Sequence, residues 1–332
     1  MRKFIPLILV LLVVLASCKD KDQKRLLPNV TGKSGEVVLV IDPGHWSSNV
    51  GQEFKNKFNK AYPALPQSEP MFDLVHIPYD AFSNIFKTHR NLVFAKVDKD
   101  IPEAKMVIQE DRWSNTQLII SVIAPNDSSL AAVVAEKGDI LVDRIMKKEM
   151  ERYGENYKKY EEKVIGNLLE KKFGVRLTIP KGYTVDVDTT DFVWIESRGR
   201  GDVVQGILVY AYDKPEVDLT TDYLFAKRNQ FTKKFVPGPT AGSYMAVESE
   251  TIPYRREISV NDIKVIELRN LWRVENDFMG GPFISFSFVD ENQNKVINID
   301  GFVYAPRFDK RDYLRQLEAI LNSVMIPNES AR

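Results

Sequence analysis

Cys18 is the only cysteine in the 332-residue chain. A lone sulfur forms no intrachain disulfide and no cysteine metal cluster, so the fold must be held by its core. Composition suits that demand, with 44% hydrophobic and 11% aromatic residues, the balance of a globular protein with a substantial core. Upstream, Arg2 and Lys3 precede an uncharged run from Phe4 to Leu15. That run falls well short of the ~20 residues a spanning helix needs. Residues 1–17 have the layout of a cleaved signal peptide, and the rest is long enough for about two domains.

Leu15-Ala16-Ser17-Cys18 resembles the lipobox of bacterial lipoproteins. The resemblance implies cleavage between Ser17 and Cys18 and lipidation of the Cys18 sulfur. With several acyl chains, palmitate among them, attachment would be essentially permanent. It places the chain in the cell envelope, with the outer membrane as the expected anchor and its periplasmic or surface face left open. Lys19-Asp20-Lys21-Asp22 looks in part like the surface-export signal of Bacteroidetes lipoproteins. Residues 18–35 read as a lipidated tether, charged and then interrupted by Pro28, Gly32 and Gly35. Arg2 and Lys3 leave with the signal, so 46 basic and 46 acidic residues become 44 against 46. No strong field collects nucleic acid, and no nucleic-acid partner is expected.

Residues 36–173 read as an N-terminal α/β domain. Val37 to Ile41 is a continuous apolar run, the pattern of a buried strand. Asn49 and Gln52 open a helix that presents Val50, Phe54, Phe58 and Ala61. Met71 to Ile77 and Leu92 to Val97 read as strands, with a short helix from Asp80 to His89 between them. Lys105 to Gln109 and Gln117 to Ile123 form a hairpin. From Ser128 to Lys172 the period is helical. An interior glycine costs about 1 kcal/mol, so a break is expected at Gly154. Lys147, Lys148, Glu149, Glu151 and Arg152 read as a solvated face.

Residues 174–326 read as an α+β sandwich. Val175, Leu177 and Ile179 alternate as a half-buried strand, followed by strands over Phe192–Glu196 and Val204–Tyr212. A helix bears Leu224, Phe231 and Phe235. Strands Tyr244–Val247, Arg255–Val260, Ile263–Leu268, Ile284–Val289 and Val296–Tyr304 follow, with Gly280-Gly281-Pro282 as a turn. A last helix opens at Asp309. The expected class is α+β: two domains, each a mixed or antiparallel sheet flanked by helices, joined by a long helical segment.

The lipobox, Val37–Asp42, Pro66 to Pro70, Arg90-Asn91 and Trp113 with Gln117 resemble an uncharacterised Bacteroidetes lipoprotein family, a domain of unknown function. That resemblance implies location and no activity. Phe173-Gly174-Val175 through Pro180-Lys181-Gly182-Tyr183, with a terminal helix ending Leu321-Asn322-Ser323, is similar to PsbP-like sandwich modules. That likeness concerns fold alone.

Val38 to His45 resembles the opening of zinc-dependent cell-wall amidases, in which a histidine after such a strand binds the metal. A catalytic zinc needs three protein ligands, and only His76 and His89 remain as imidazole partners. His76 sits in an apolar strand and His89 beside Phe82, Ile85 and Phe86, so neither is placed to join His45. No catalytic residue, metal or cofactor is therefore expected. Arg200-Gly201-Asp202 reads as a glycine-rich hairpin tip, and Asp188-Thr189-Thr190 is similar to an O-glycosylation acceptor of Bacteroidetes envelope proteins. The expected function is a non-catalytic binding or scaffold role, with an envelope protein or a glycan as partner. The alternative is an envelope hydrolase, amidase-like, working through His45.

Overall fold

The computed structural model describes residues 26–327. The signal peptide, its cleavage point at Ser17, the lipidation residue Cys18 and the charged run after it lie outside the described residues. Two sheets flanked by helices make an α+β fold of two domains.

The first sheet has the order β2-β1-β3-β5-β4, built from β1 (Glu36–Val40), β2 (Asp73–Ile77), β3 (Asn91–Val97), β4 (Lys105–Glu110) and β5 (Leu118–Ala124). β2, β1, β3 and β5 run parallel, and β4 closes one edge antiparallel to β5, so the predicted hairpin forms. One face buries Val37, Leu39, Val93, Ile120 and Val122 under α2 (Asn49–Phe58) and α4 (Asp127–Lys159). α1 (Pro43–Trp46) precedes α2, and Ser48, not Asn49, caps α2 by accepting from Val50 N. The predicted Asp80–His89 helix resolves into a 3-10 turn at Tyr79–Ala81 and one turn of helix, α3 (Asn84–Lys87).

α4 runs unbroken through Gly154 for 33 residues, roughly 50 Å, which corrects the expected break. A side chain at Gly138 would overlap the Lys57 stem, so that glycine is what lets α2 lie close. Beyond it, Glu149 and Arg152 are buried instead of solvated, at 1% and 9% exposure. Glu149 accepts from Asn91 Nδ2 at 2.7 Å and Arg90 Nη1 at 2.9 Å, while Arg152 donates to the carbonyls of Arg90 and Thr116. That lattice fastens the helix just before Gly154, and buried Tyr157 fastens it just after, donating to Gln316 O. Burial pushes the Arg152 guanidinium down to about 10. The chain breaks at Tyr160 and resumes as α5 (Lys163–Phe173).

Residues 28–35, read as tether, are fastened to this domain: Pro28 O accepts from Asn115 N, and Thr31 pairs with Thr88 and Arg90. The charge pattern of the preceding residues said nothing of these backbone bonds.

The second sheet is antiparallel, in the order β10-β11-β12-β13-β8-β7-β6 with β9 on β11. Its strands are β6 (Thr184–Asp188), β7 (Phe192–Arg198), β8 (Val204–Asp213), β9 (Tyr244–Val247), β10 (Tyr254–Val260), β11 (Ile263–Glu275), β12 (Gly280–Asp290) and β13 (Lys295–Tyr304). Val175, Leu177 and Ile179 are fully buried, yet their segment makes only single bridges, at Arg176–Met325 and Glu161–Pro180, and joins no ladder. Gly280-Gly281-Pro282 is the start of β12, paired with Arg273, Trp272 and Leu271, not a turn. The turn falls earlier, at Asn276, whose φ of 65° is the left-handed conformation asparagine tolerates.

Alternation divides this sheet cleanly. Val193, Ile207, Phe286, Ile299 and Val303 face α5 and α7 (Arg311–Leu321), with Ile165, Leu169 and Phe173 of α5 in the same core. Phe192, Leu208, Trp272, Phe283 and Phe302 face α6 (Thr221–Phe235).

The two domains meet across α7. Its N-terminus is capped from the first domain: Glu69 accepts from Lys310 N at 2.7 Å and Arg311 N at 2.9 Å. A carboxylate there satisfies orphan amides and meets the positive end of the helix dipole. Arg311 spans both oxygens of Asp73, and Arg269 joins Tyr62 and Glu318 in a buried network.

Candidate functional site

α6 covers only part of its sheet face. Its aromatic ladder, Phe231 and Phe235, stacks on Phe192 and Tyr210, and Arg228 lies over Phe283 while donating to Asp300 at 2.5 Å. Then Val236-Pro237-Gly238-Pro239 turns the chain away, as prolines end helical hydrogen bonding. Past that turn the sheet face is left open as a cleft of about 560 Å³.

Alternation along three strands supplies most of the lining. β7 contributes Trp194, Glu196 and Arg198, β11 contributes Trp272 and Val274, and β13 contributes Phe302 and Tyr304. Met245 and Met279 close the sides, and the Gly201-Asp202 tip of the β7–β8 hairpin forms part of the rim. Trp272 meets Phe302 edge-on at 5.5 Å between centroids, with the tilted Tyr304 ring at 6.3 Å. The Trp272 indole donates to Val303 O at 3.2 Å and is locked; the Trp194 indole N–H is buried without a partner. Glu196, 5% exposed, accepts from the exposed Arg198 at 2.6 Å.

Chemically, this is an apolar cleft of two half-buried rings, Trp194 and Tyr304, over the buried Trp272 and Phe302, with two carboxylates, Glu196 and Asp202, one guanidinium and one unpartnered indole N–H. A pocket of that size and lining suits a small ligand or a short polymer segment.

Sequence reading missed this cleft. The signal lay in same-face pairs, Trp194 with Glu196 and Phe302 with Tyr304, and in small residues opposite large rings. A Cβ on Gly206 would overlap the Phe302 ring, and one on Gly281 would overlap Val303 O and crowd the Trp272 indole.

Of the residues singled out from sequence, Gly201 and Asp202 reach the rim of the cleft and the others lie elsewhere. His45, in α1 beyond the C-terminal end of β1, sits 3.0 Å from Asp127, the first residue of α4. His76 donates to Ile41 O at 2.9 Å and stacks on Trp46 at 4.7 Å. His89 is a strand length away at the other end of β1, 2.6 Å from Glu36. Among the described residues no three His, Asp or Glu side chains are grouped to hold a metal ion. Asp42 is the lesser cause, after burial, that pushes the Tyr79 phenol up to about 12. Arg200-Gly201-Asp202 is a hairpin tip with positive φ at Gly201 and Asp202. In Asp188-Thr189-Thr190, Asp188 pairs with Lys172, Thr189 Oγ1 donates to Phe192 O, and Thr190 is exposed.

Residues 30–158 match the family model of a domain of unknown function (DUF8532), and residues 162–323 match that of another (DUF4837). The chain carries two domains of unknown function. No curated protein matches it. Among solved structures, LpqN, involved in cell envelope biogenesis of Mycobacterium tuberculosis, aligns at 13% identity and a TM-score of 0.29, over 46% of this chain and 83% of its own. A protein from Bacteroides thetaiotaomicron VPI-5482 aligns at 9% and 0.26, over 47% of this chain and 46% of its own. Likenesses this distant carry no functional argument. Among the described residues no helix is long and apolar enough to cross a membrane.

Proposed function

We propose that this chain is a cell-envelope lipoprotein of the Bacteroidetes type, anchored through Cys18, whose larger domain binds a ligand in the Trp194–Trp272–Tyr304 cleft. The open aromatic cleft carries this reading. Elsewhere on the same sheet comparable apolar surface is covered by α6, whereas here the rings of Trp194 and Tyr304 stay half-buried above the buried Trp272 and Phe302. The lipobox supports the anchor, and the near-neutral charge argues against a nucleic-acid ligand. The hydrolase reading through His45 has less support, because His45, His76 and His89 each make separate local contacts.

Two variants test the two halves. Cys18→Ala should move the protein from the membrane to the soluble fraction and abolish labelling by a clickable palmitate analogue. Tyr304→Ala, at a half-exposed ring, should leave membrane attachment intact and reduce retention of the detergent-solubilised protein on isolated envelopes. Membrane attachment of the Cys18 variant would refute the anchor, and undiminished retention of the Tyr304 variant would refute the cleft.

A further inference from the structure

The cleft reading leaves the ligand's chemistry open, and the inference here rests on that reading. The geometry points to a carbohydrate, bound through its C–H face on the aromatic rings and through neighbouring hydroxyls to Glu196, Arg198 and the Trp194 indole.

Three features of the cleft have to be met at once. The half-buried rings of Trp194 and Tyr304 ask for an apolar face. The Trp194 Nε1–H has no partner in the protein and asks for an acceptor. Glu196 accepts from Arg198 through one oxygen, and its other oxygen is reached by solvent, so a ligand hydroxyl can donate to it.

An apolar peptide side chain meets the first demand and leaves the other two unmet. A cationic group suits rings and carboxylate, as in aromatic cages, yet it offers no acceptor to an indole and would sit against Arg198. A hydroxyl donates and accepts. A pyranose carries several hydroxyls around an edge and C–H bonds on a face, which fits all three demands. A volume of about 560 Å³ lies in the range of small-ligand pockets and accommodates a short oligosaccharide. Trp194 is half-buried as a residue while its Nε1 is closed off from solvent, so donation to a ligand requires the indole to turn on binding.

The test uses the full lipidated chain in detergent, followed by tryptophan emission and calorimetry. Probes are muropeptide-free peptidoglycan glycan fragments, polysaccharide released from outer-membrane lipid, and an apolar tripeptide. Saturable binding of either saccharide is expected, and the one that binds names the source. Trp194→Phe keeps the ring face and removes the donor, and Glu196→Gln removes the charge; each should weaken saccharide binding about tenfold. Binding of the tripeptide alone, lost in Tyr304→Ala, would overturn the carbohydrate and keep the cleft. Saccharide binding untouched by all three variants would overturn both. Binding of no probe would overturn the carbohydrate inference.

Discussion

The Phe302 ring occupies the space that a Cβ on Gly206 would need. The two residues are directly paired across β13 and β8, and the missing side chain on one strand is what seats the ring on the other. The floor of the cleft is therefore specified by a glycine. Gly206→Ala should force the ring outward, destabilise the fold by about 1–3 kcal/mol as overpacking does, and narrow the cleft. Denaturant unfolding measures the first effect. Gly44→Ala, where a side chain meets nothing within 4 Å, is the matched control and should be near neutral. Equal midpoints for the two variants would show that Phe302 has room to move.

The cap on α7 is supplied from the other domain, so it couples the stabilities of the two. Glu69→Ala removes the acceptor of two backbone amides, at Lys310 and Arg311. A cost of about 0.5–2 kcal/mol is expected, as for other lost N-caps. Hydrogen exchange should accelerate in the first turn of α7. Exchange unchanged there would mean that packing of Leu314 and Leu317 alone holds the helix start.

Acid should loosen the same junction. Asp73 is held below the usual carboxylate range, chiefly by its hydrogen bonds from Arg311. Glu318 is also held low, because Arg269 and the Tyr62 hydroxyl outweigh its burial. A depressed folded-state pKa means the folded form binds fewer protons than the unfolded one, so this stability is present above the ordinary value near ~4 and is lost as pH falls below it. Asp73 is half exposed, so solvent screens its share. Melting temperature followed from pH 6 downward should decline more shallowly in Asp73→Asn than in the native protein. Parallel curves would show that Asp73 contributes nothing and leave the acid sensitivity to Glu318 and the other depressed carboxylates, Glu110 and Asp139.

Strands were the legible part of this chain. Tyr244–Val247 was read at its observed bounds, and most other strands were placed within a few residues, because runs of apolar and β-branched residues mark them. β6 escaped notice because Thr184–Asp188 is a polar edge strand with a bulge between Val185 and Val187. The unbroken α4 escaped because propensity counts the cost of Gly154 and cannot see the Glu149–Arg152 lattice fixed by Asn91, nearly sixty residues away. The cleft was hidden for a related reason. Trp194, Trp272 and Phe302 come from three strands far apart in sequence, and only the sheet order places them side by side. His45 stood out because it is local, and it proved to contact Asp127 rather than a metal-ligand set.

The central claim is that the cleft of the larger domain meets the ligand in the cell. A photo-crosslinking side chain placed at Met279, on the cleft wall, and in a separate strain at Ile140, exposed on α4 in the other domain, tests it directly. Illumination of intact cells should give a discrete adduct from position 279 that disappears when Tyr304→Ala is added, and none from position 140. An adduct at 140 with none at 279, or one at 279 indifferent to Tyr304, would contradict the account.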